Sequence, residues 1–203
     1  GVQTCALPIF DSSLVEQIEL RMIRPSGFPV RYGDAGGPEA ANLKSSIKEH
    51  GLLQPIVVRP LEHGFEIVAG HRRYHACKGL RWRFIPCRIR ELSDRQAYEI
   101  QLTENIQRKS MDPLEEAEAY QKYVVDFGWG GAADLARRIG KSAEYVSHRM
   151  QLLKLPDEIR GQVASGSLGV SQAIEVASIG DGRGDLVKEI IGNKMTVKQI
   201  RQI

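Results

Sequence analysis

At 203 residues, 42% of them apolar, the chain has room for one large domain or two small ones, and no apolar run approaches the ~20 residues of a membrane-spanning helix. A net charge of +3 excludes a globally polybasic protein, so any basic surface must be local. The three cysteines, at 5, 77 and 87, match neither a metal-ligand spacing nor a paired framework; they suit a reducing cytoplasm, with Cys77 and Cys87 as small buried apolar residues.

Gly1 to Ile9 reads as the translation of a sequencing adapter, and residues 1–10 are set aside as an artefact. The chain is therefore expected to be a fragment whose true N-terminus is missing, with a second cut inside the amphipathic pattern at Val197 to Ile203. Leu14 to Met22 holds a short strand, followed by a loop with Gly and Pro to about Pro38. Ala40 to His50 reads as a helix, with Leu43 and Ile47 on one face and Gly51 as its stop. Leu52 to Pro60 gives a buried strand, His63-Gly64 a turn, and Phe65 to Ala69 a second strand. Gly79 is the expected cap of the next helix, Phe84 to Ile89 a third strand, and Ser93 to Gln96 a capping box opening a helix to about Arg108.

Two places in this first region carry chemistry. Ala69-Gly70-His71-Arg72-Arg73 runs from a strand through a glycine into a helix. Gly70 admits close approach of a polyanion, the helix start aims N–H groups and its positive dipole end there, and Arg72 and Arg73 add forked donors suited to phosphate. Taken alone, the motif also fits an ordinary strand–turn–helix with solvated arginines. In Thr103-Glu104-Asn105-Ile106-Gln107-Arg108, the Glu104–Arg108 spacing favours a surface ion pair. The alternative is that Glu104 and Asn105 offer oxygens to a phosphate-borne Mg²⁺, which takes few protein ligands, with Arg108 on phosphate or holding Glu104.

The second region is helical. Asp112-Pro113-Leu114-Glu115 is a helix start, and Ala117, Tyr120, Val124 and Phe127 form its apolar stripe, ended by Gly128. Residues 131–153 have the form of a helix-turn-helix: Leu135, Ala136 and Ile139 pack one helix, Gly140 turns, Ser142 caps the next, and Val146, Met150 and Leu153 face inward. Ser142, Tyr145, His148 and Arg149 are expected on the outer face, with Arg137, Arg138, Lys141 and Lys154 adding charge. Lysines and arginines on phosphate would set affinity, and base contacts from Tyr145, His148 or Arg149 would set sequence preference. The residues alone also admit a helical hairpin with a solvated basic face. Further helices run through Ile190, with Gly166 and Gly180 as breaks.

Gly51-Leu52-Leu53-Gln54-Pro55-Ile56-Val57-Val58-Arg59, Gly70-His71-Arg72-Arg73 and Thr103 to Arg108 resemble, in order and spacing, three boxes of the ParB family of DNA-partition clamp proteins. The resemblance runs from about residue 14 to the end. It implies an α+β architecture: a ParB/sulfiredoxin-like nucleotide-binding domain over 14–110, then an all-α helix-turn-helix DNA-binding domain over 111–203. It implies CTP and Mg²⁺ as cofactors, with the Gln54 box near cytosine and ribose. Gly70, His71, Arg72, Arg73, Asn105 and Arg108 would serve the nucleotide, and Glu104 and Asn105 the metal. For the second domain it implies double-stranded DNA bearing a centromere-like site, met by Arg137, Lys141, Ser142, Tyr145, His148 and Arg149. A ParA-type ATPase partner, a homodimer in the intact protein, and a cytoplasmic, nucleoid-associated location without membrane contact also follow. The family's C-terminal dimerisation domain is expected to lie outside the chain.

His71 stands where the family usually has glutamate, so slow CTP hydrolysis by the switch is in doubt while binding is expected; a protonated His71 would be an extra phosphate contact. A nucleotide-independent plasmid-type repressor is the first alternative. A kinase or sulfiredoxin-like enzyme ranks behind it, since sulfiredoxins place a reactive cysteine where this chain has Gly70.

Overall fold

In the computed structural model, which describes residues 14–27, 38–107, 111–178, 188–190, 192–193 and 195–202, the β-branched runs of the first hundred residues become strands. β1 (Val15–Glu19), β2 (Ile23–Arg24), β3 (Ile56–Leu61), β4 (Gly64–Ala69) and β5 (Phe84–Ile89) form a five-stranded sheet in the order β1-β5-β3-β4-β2. The β1–β5 and β3–β4 pairs are antiparallel, and the β3–β5 and β2–β4 pairs parallel. Side chains alternate across each strand, so Ile56, Val58, Ile67, Ile85, Cys87 and Ile89 share one buried face. Ile47 of α1 (Pro38–His50) and Tyr74, Ala76 and Cys77 of α2 (His71–Gly79) complete that core. Burial pushes the Cys77 thiol up to about 11 and the Cys87 thiol up to about 12, so both stay protonated and unreactive at neutral pH.

Alternation puts Arg59 and Glu66 on the other face, directly opposite each other in the β3–β4 register. They form an ion pair with both side chains only 5% exposed. The Gly27 N–H donates to Glu66 Oε1 at 2.6 Å; Arg59 Nη1 meets Asp94 Oδ1 at 2.6 Å and donates to the Leu92 carbonyl at 3.2 Å. Asp94 opens α3 (Asp94–Gln107), whose buried Gln101 donates to the buried Ser26 hydroxyl at 2.9 Å. The expected Ser93/Gln96 cap is present, the Gln96 Oε1 accepting from the Ser93 N–H at 3.0 Å. The end of α2 departs from expectation: Gly79 stays helical, and the left-handed residue is Arg81, at φ 59°.

The chain divides into two compact units between Glu104 and Asn105. In the second unit α4 (Pro113–Gln121) begins at Asp112, whose carboxylate accepts from the Leu114 and Glu115 N–H groups while Glu115 caps the Asp112 N–H in return. Lys122–Asp126 then widens into a π turn, which rotates the apolar stripe. Tyr123 is buried there and Val124 only half-buried, correcting the stripe expected from 3.6-residue spacing. Beyond it come α5 (Ala132–Ile139), α6 (Ala143–Gln151), α7 (Asp157–Ala164) and α8 (Val170–Ser178), packed around Leu152, Leu155, Ile159, Leu168, Ala173 and Val176. Gly166, at φ 75°, is the expected break; Gly180 lies outside the described residues. Among the described residues, no helix is long and apolar enough to cross a membrane.

Candidate nucleotide and nucleic-acid sites

The strand-to-helix turn in the first unit is built around Gly70. Its backbone is left-handed (φ 97°, ψ 27°), and an added Cβ would lie 2.8 Å from Ile56 Cγ2 and 3.3 Å from Arg73 Cζ. Both the conformation and the lack of room restrict this position to glycine. Arg73 folds back over it, donating through Nη1 to the Gln54 and Pro55 carbonyls, each at 2.9 Å. The loop before β3, the glycine and the first turn of α2 therefore meet at one place, which brings Gln54, Gly70 and Arg73 together. The Gln54 side chain stays exposed beside it.

The other first-unit residues are placed differently. Arg72 is exposed and reaches α1, its Nη2 donating to Glu39 Oε2 at 3.0 Å. His71 is half-buried; that burial, followed by the neighbouring His75, holds its imidazole below the ordinary 6.5, against a smaller opposing pull from Glu66. In the chain alone this favours the uncharged imidazole, a hydrogen-bonding group, at neutral pH. Glu104 and Asn105 are half-buried near the end of α3, and Arg108 lies outside the described residues. No three His, Cys, Asp or Glu side chains gather as a metal site among the described residues. A cation carried by phosphate oxygens, needing one or two protein oxygens, is the kind that this donor set fits.

In the second unit α5 and α6 form the helix-turn-helix. Leu135, Ala136 and Ile139 bury the inner face of α5, Gly140 turns at φ 68°, and the Ser142 hydroxyl accepts from the Tyr145 N–H at 3.1 Å to cap α6. Arg137 is exposed and pairs with Asp134 at 2.6 Å, which also holds Arg138 at 3.3 Å. Lys141 is exposed at the turn, and its Nζ stands 5.1 Å from the Tyr145 ring centroid. His148 is partly exposed, 3.8 Å from Glu144.

Tyr145 and Arg149 correct the outward placement expected from helical spacing. Both turn to α4, where Glu116 Oε2 accepts from the Tyr145 hydroxyl and from Arg149 Nε, each at 2.8 Å. Arg149 Nη2 donates to the Tyr145 oxygen at 3.0 Å, and its Cζ lies 4.8 Å from that ring's centroid. A buried carboxylate on α4, 29 residues before Tyr145 and 33 before Arg149, thus outcompetes solvent for both groups, because an unpaired charge there would be costly. Glu116 itself went unread in the sequence, where it looks like one more acidic residue of a first helical turn. The surface of α6 that remains exposed carries Ala143, Glu144 and Ser147 beside His148.

Tyr120 is packed near the same cluster, and its buried hydroxyl has no hydrogen-bond partner among the described residues. Burial first, then the Glu116 carboxylate, push its pKa well above the ordinary 10. Because an unsatisfied buried hydroxyl is a net cost, Tyr120→Phe is expected to leave unfolding stability unchanged or raise it by about 1 kcal/mol, read by urea titration. A loss of more than that would show that the hydroxyl has a partner.

Comparison with known proteins accords with both halves. Residues 10–106 match the ParB N-terminal domain and residues 109–203 the ParB HTH domain. The chain is 34% identical over 192 residues to stage 0 sporulation protein J of Bacillus subtilis, covering 93% of this chain and 67% of that protein. It is 36% identical over 162 residues to the nucleoid occlusion protein of Geobacillus thermodenitrificans, covering 78% of this chain and 57% of that one. It thus spans a little over half to two thirds of the length of such relatives. The C-terminally truncated chromosome-partitioning protein ParB of Caulobacter crescentus, solved complexed to the centromeric parS site, is 30% identical with a TM-score of 0.72, over 92% of this chain and 97% of that one. With a domain match on each unit and a relative a third identical across two thirds of its own length, the chain belongs to the ParB family.

Proposed function

We propose that this chain is the CTP- and DNA-binding part of a partition protein that loads at a centromere-like DNA site. The observation that carries the reading is the helix-turn-helix of α5 and α6, together with likeness over both units to a ParB solved on parS. Lys141, Arg137 and the Ser142 end of α6 face the phosphates, and Glu144, Ser147 and His148 are the side chains placed to meet base edges. Tyr145 and Arg149 act from behind, by fixing α6 on α4.

In the first unit, the Gly70 turn takes the phosphates of CTP. The free N–H groups of α2 and the Arg73 guanidinium supply donors, with Arg72 swinging from Glu39. Glu104 and Asn105 supply protein oxygens to Mg²⁺, whose charge offsets that of the phosphates. With His71 in place of a carboxylate, the fixed negative charge at that position is lost, and nucleotide acts as a binding switch more than as a substrate. Closure of two subunits into a clamp, a ParA-type ATPase partner and a nucleoid-associated, cytoplasmic location belong to the same reading. The buried thiols weigh against a sulfiredoxin-like reaction.

The test is anisotropy of labelled duplexes carrying parS or a scrambled sequence, titrated with the chain at several salt concentrations. Preference for one site is expected, and Lys141→Ala should weaken all duplexes alike and lower the salt slope by about 1. Equal affinity for every duplex would remove the site-specific reading. Likeness to a nucleoid occlusion protein favours a second one, in which the preferred site differs from parS.

A further inference from the structure

A cavity of about 750 Å³ opens on the first unit between the β1–β2 segment and the second half of α2. Its floor is aromatic and aliphatic: the Tyr74 and Trp82 rings, with Leu20 and Ile23. Its walls are cationic. Arg21 and Arg83 flank Glu19, which both engage, whereas Arg24 and Lys78 make no ion pair among the described residues. Lys78 stands 5.9 Å from the Tyr74 ring centroid, inside the cavity wall. Next to Arg83 in the chain, Phe84 is exposed, and Arg83 Cζ lies 5.2 Å from its ring centroid.

We infer that this cavity is a docking site for an acidic peptide segment of a partner protein, carrying one aromatic or branched apolar side chain between carboxylates. Two features select that occupant. The cations are spread around the rim, so they match carboxylates spaced along a chain. The floor offers apolar and aromatic surface that a peptide side chain fills and a free inorganic anion does not. The site stands apart from the Gly70 turn, at the opposite end of the same helix, and is independent of the nucleotide and DNA readings.

A display library of random dodecapeptides selected on the purified full chain, without DNA or nucleotide, tests this. Enrichment of Asp and Glu around a Phe, Tyr, Trp, Leu or Ile is expected. The selected peptide should bind the Arg24→Glu/Lys78→Glu chain at least tenfold more weakly. The equally charge-reversed control Lys122→Glu/Lys198→Glu should bind as the parent does, since both lysines are exposed and remote in sequence from the cavity. In a Trp129→Phe background the peptide should shift the emission of Trp82, a readout that needs no charge variant. No enrichment, a consensus without acidic residues, equal loss in both charge-reversed chains, or an unmoved Trp82 signal would each overturn the inference.

Discussion

Replacing Glu66 by alanine is expected to lower the unfolding stability of the first unit by about 3–5 kcal/mol, the largest loss of any single side chain considered. The carboxylate accepts from Arg59 Nε, pairs with Nη2, and takes the Gly27 N–H. Its removal leaves a guanidinium that is 5% exposed with only Asp94, itself 57% exposed, and the Leu92 carbonyl. The cost is that of an uncompensated charge and not the worth of the pair, so Arg59→Met/Glu66→Leu should recover most of the loss. Urea unfolding followed by Trp82 emission in a Trp129→Phe background reads this unit alone. A double variant no more stable than Glu66→Ala would show that the pair contributes outright.

Glu116→Ala is the counterpart in the second unit, with an expected loss of about 3 kcal/mol, at the low end for a broken buried pair. Arg149 keeps 16% exposure and can turn to water, which limits the penalty. The Tyr145 hydroxyl also loses its acceptor. Trp129, stacked on Phe127 with centroids 4.3 Å apart, reports the unfolding of this unit. The same variant frees α6 from α4, so affinity for site-bearing DNA should fall more than affinity for a scrambled duplex. Arg149→Ala should behave likewise, by misplacing α6 and not by deleting a base contact. An Arg149→Ala chain of parental stability that loses discrimination at one base pair would return Arg149 to the DNA surface.

What the sequence made legible is what local rules govern. Phe84–Ile89 and the Ser93 cap are set by alternation and by a side chain three residues from its donor. The Gly70 turn is readable because a strand ends and a helix starts around one glycine. The misreadings come from places where a longer-range term wins. The π turn at Lys122–Asp126 breaks the 3.6-residue count and exchanges Val124 for Tyr123. Tyr145 and Arg149 sit where periodicity faces them outward, yet a carboxylate from α4 draws them in. β2, two residues long, has too little pattern to read. The Arg59–Glu66 pair had a usable signal: a turn that sets Leu61 against Gly64 carries Arg59 opposite Glu66.

Calorimetric titration of the chain with CTP, ATP and GTP in Mg²⁺, with and without parS duplex, tests nucleotide recognition at Gly70. Saturable heat from CTP alone is expected, lost in Arg73→Ala while duplex binding persists. Heat of equal size from all three nucleotides, or none from CTP even with the duplex present, would contradict it and leave a DNA-binding protein without a nucleotide switch.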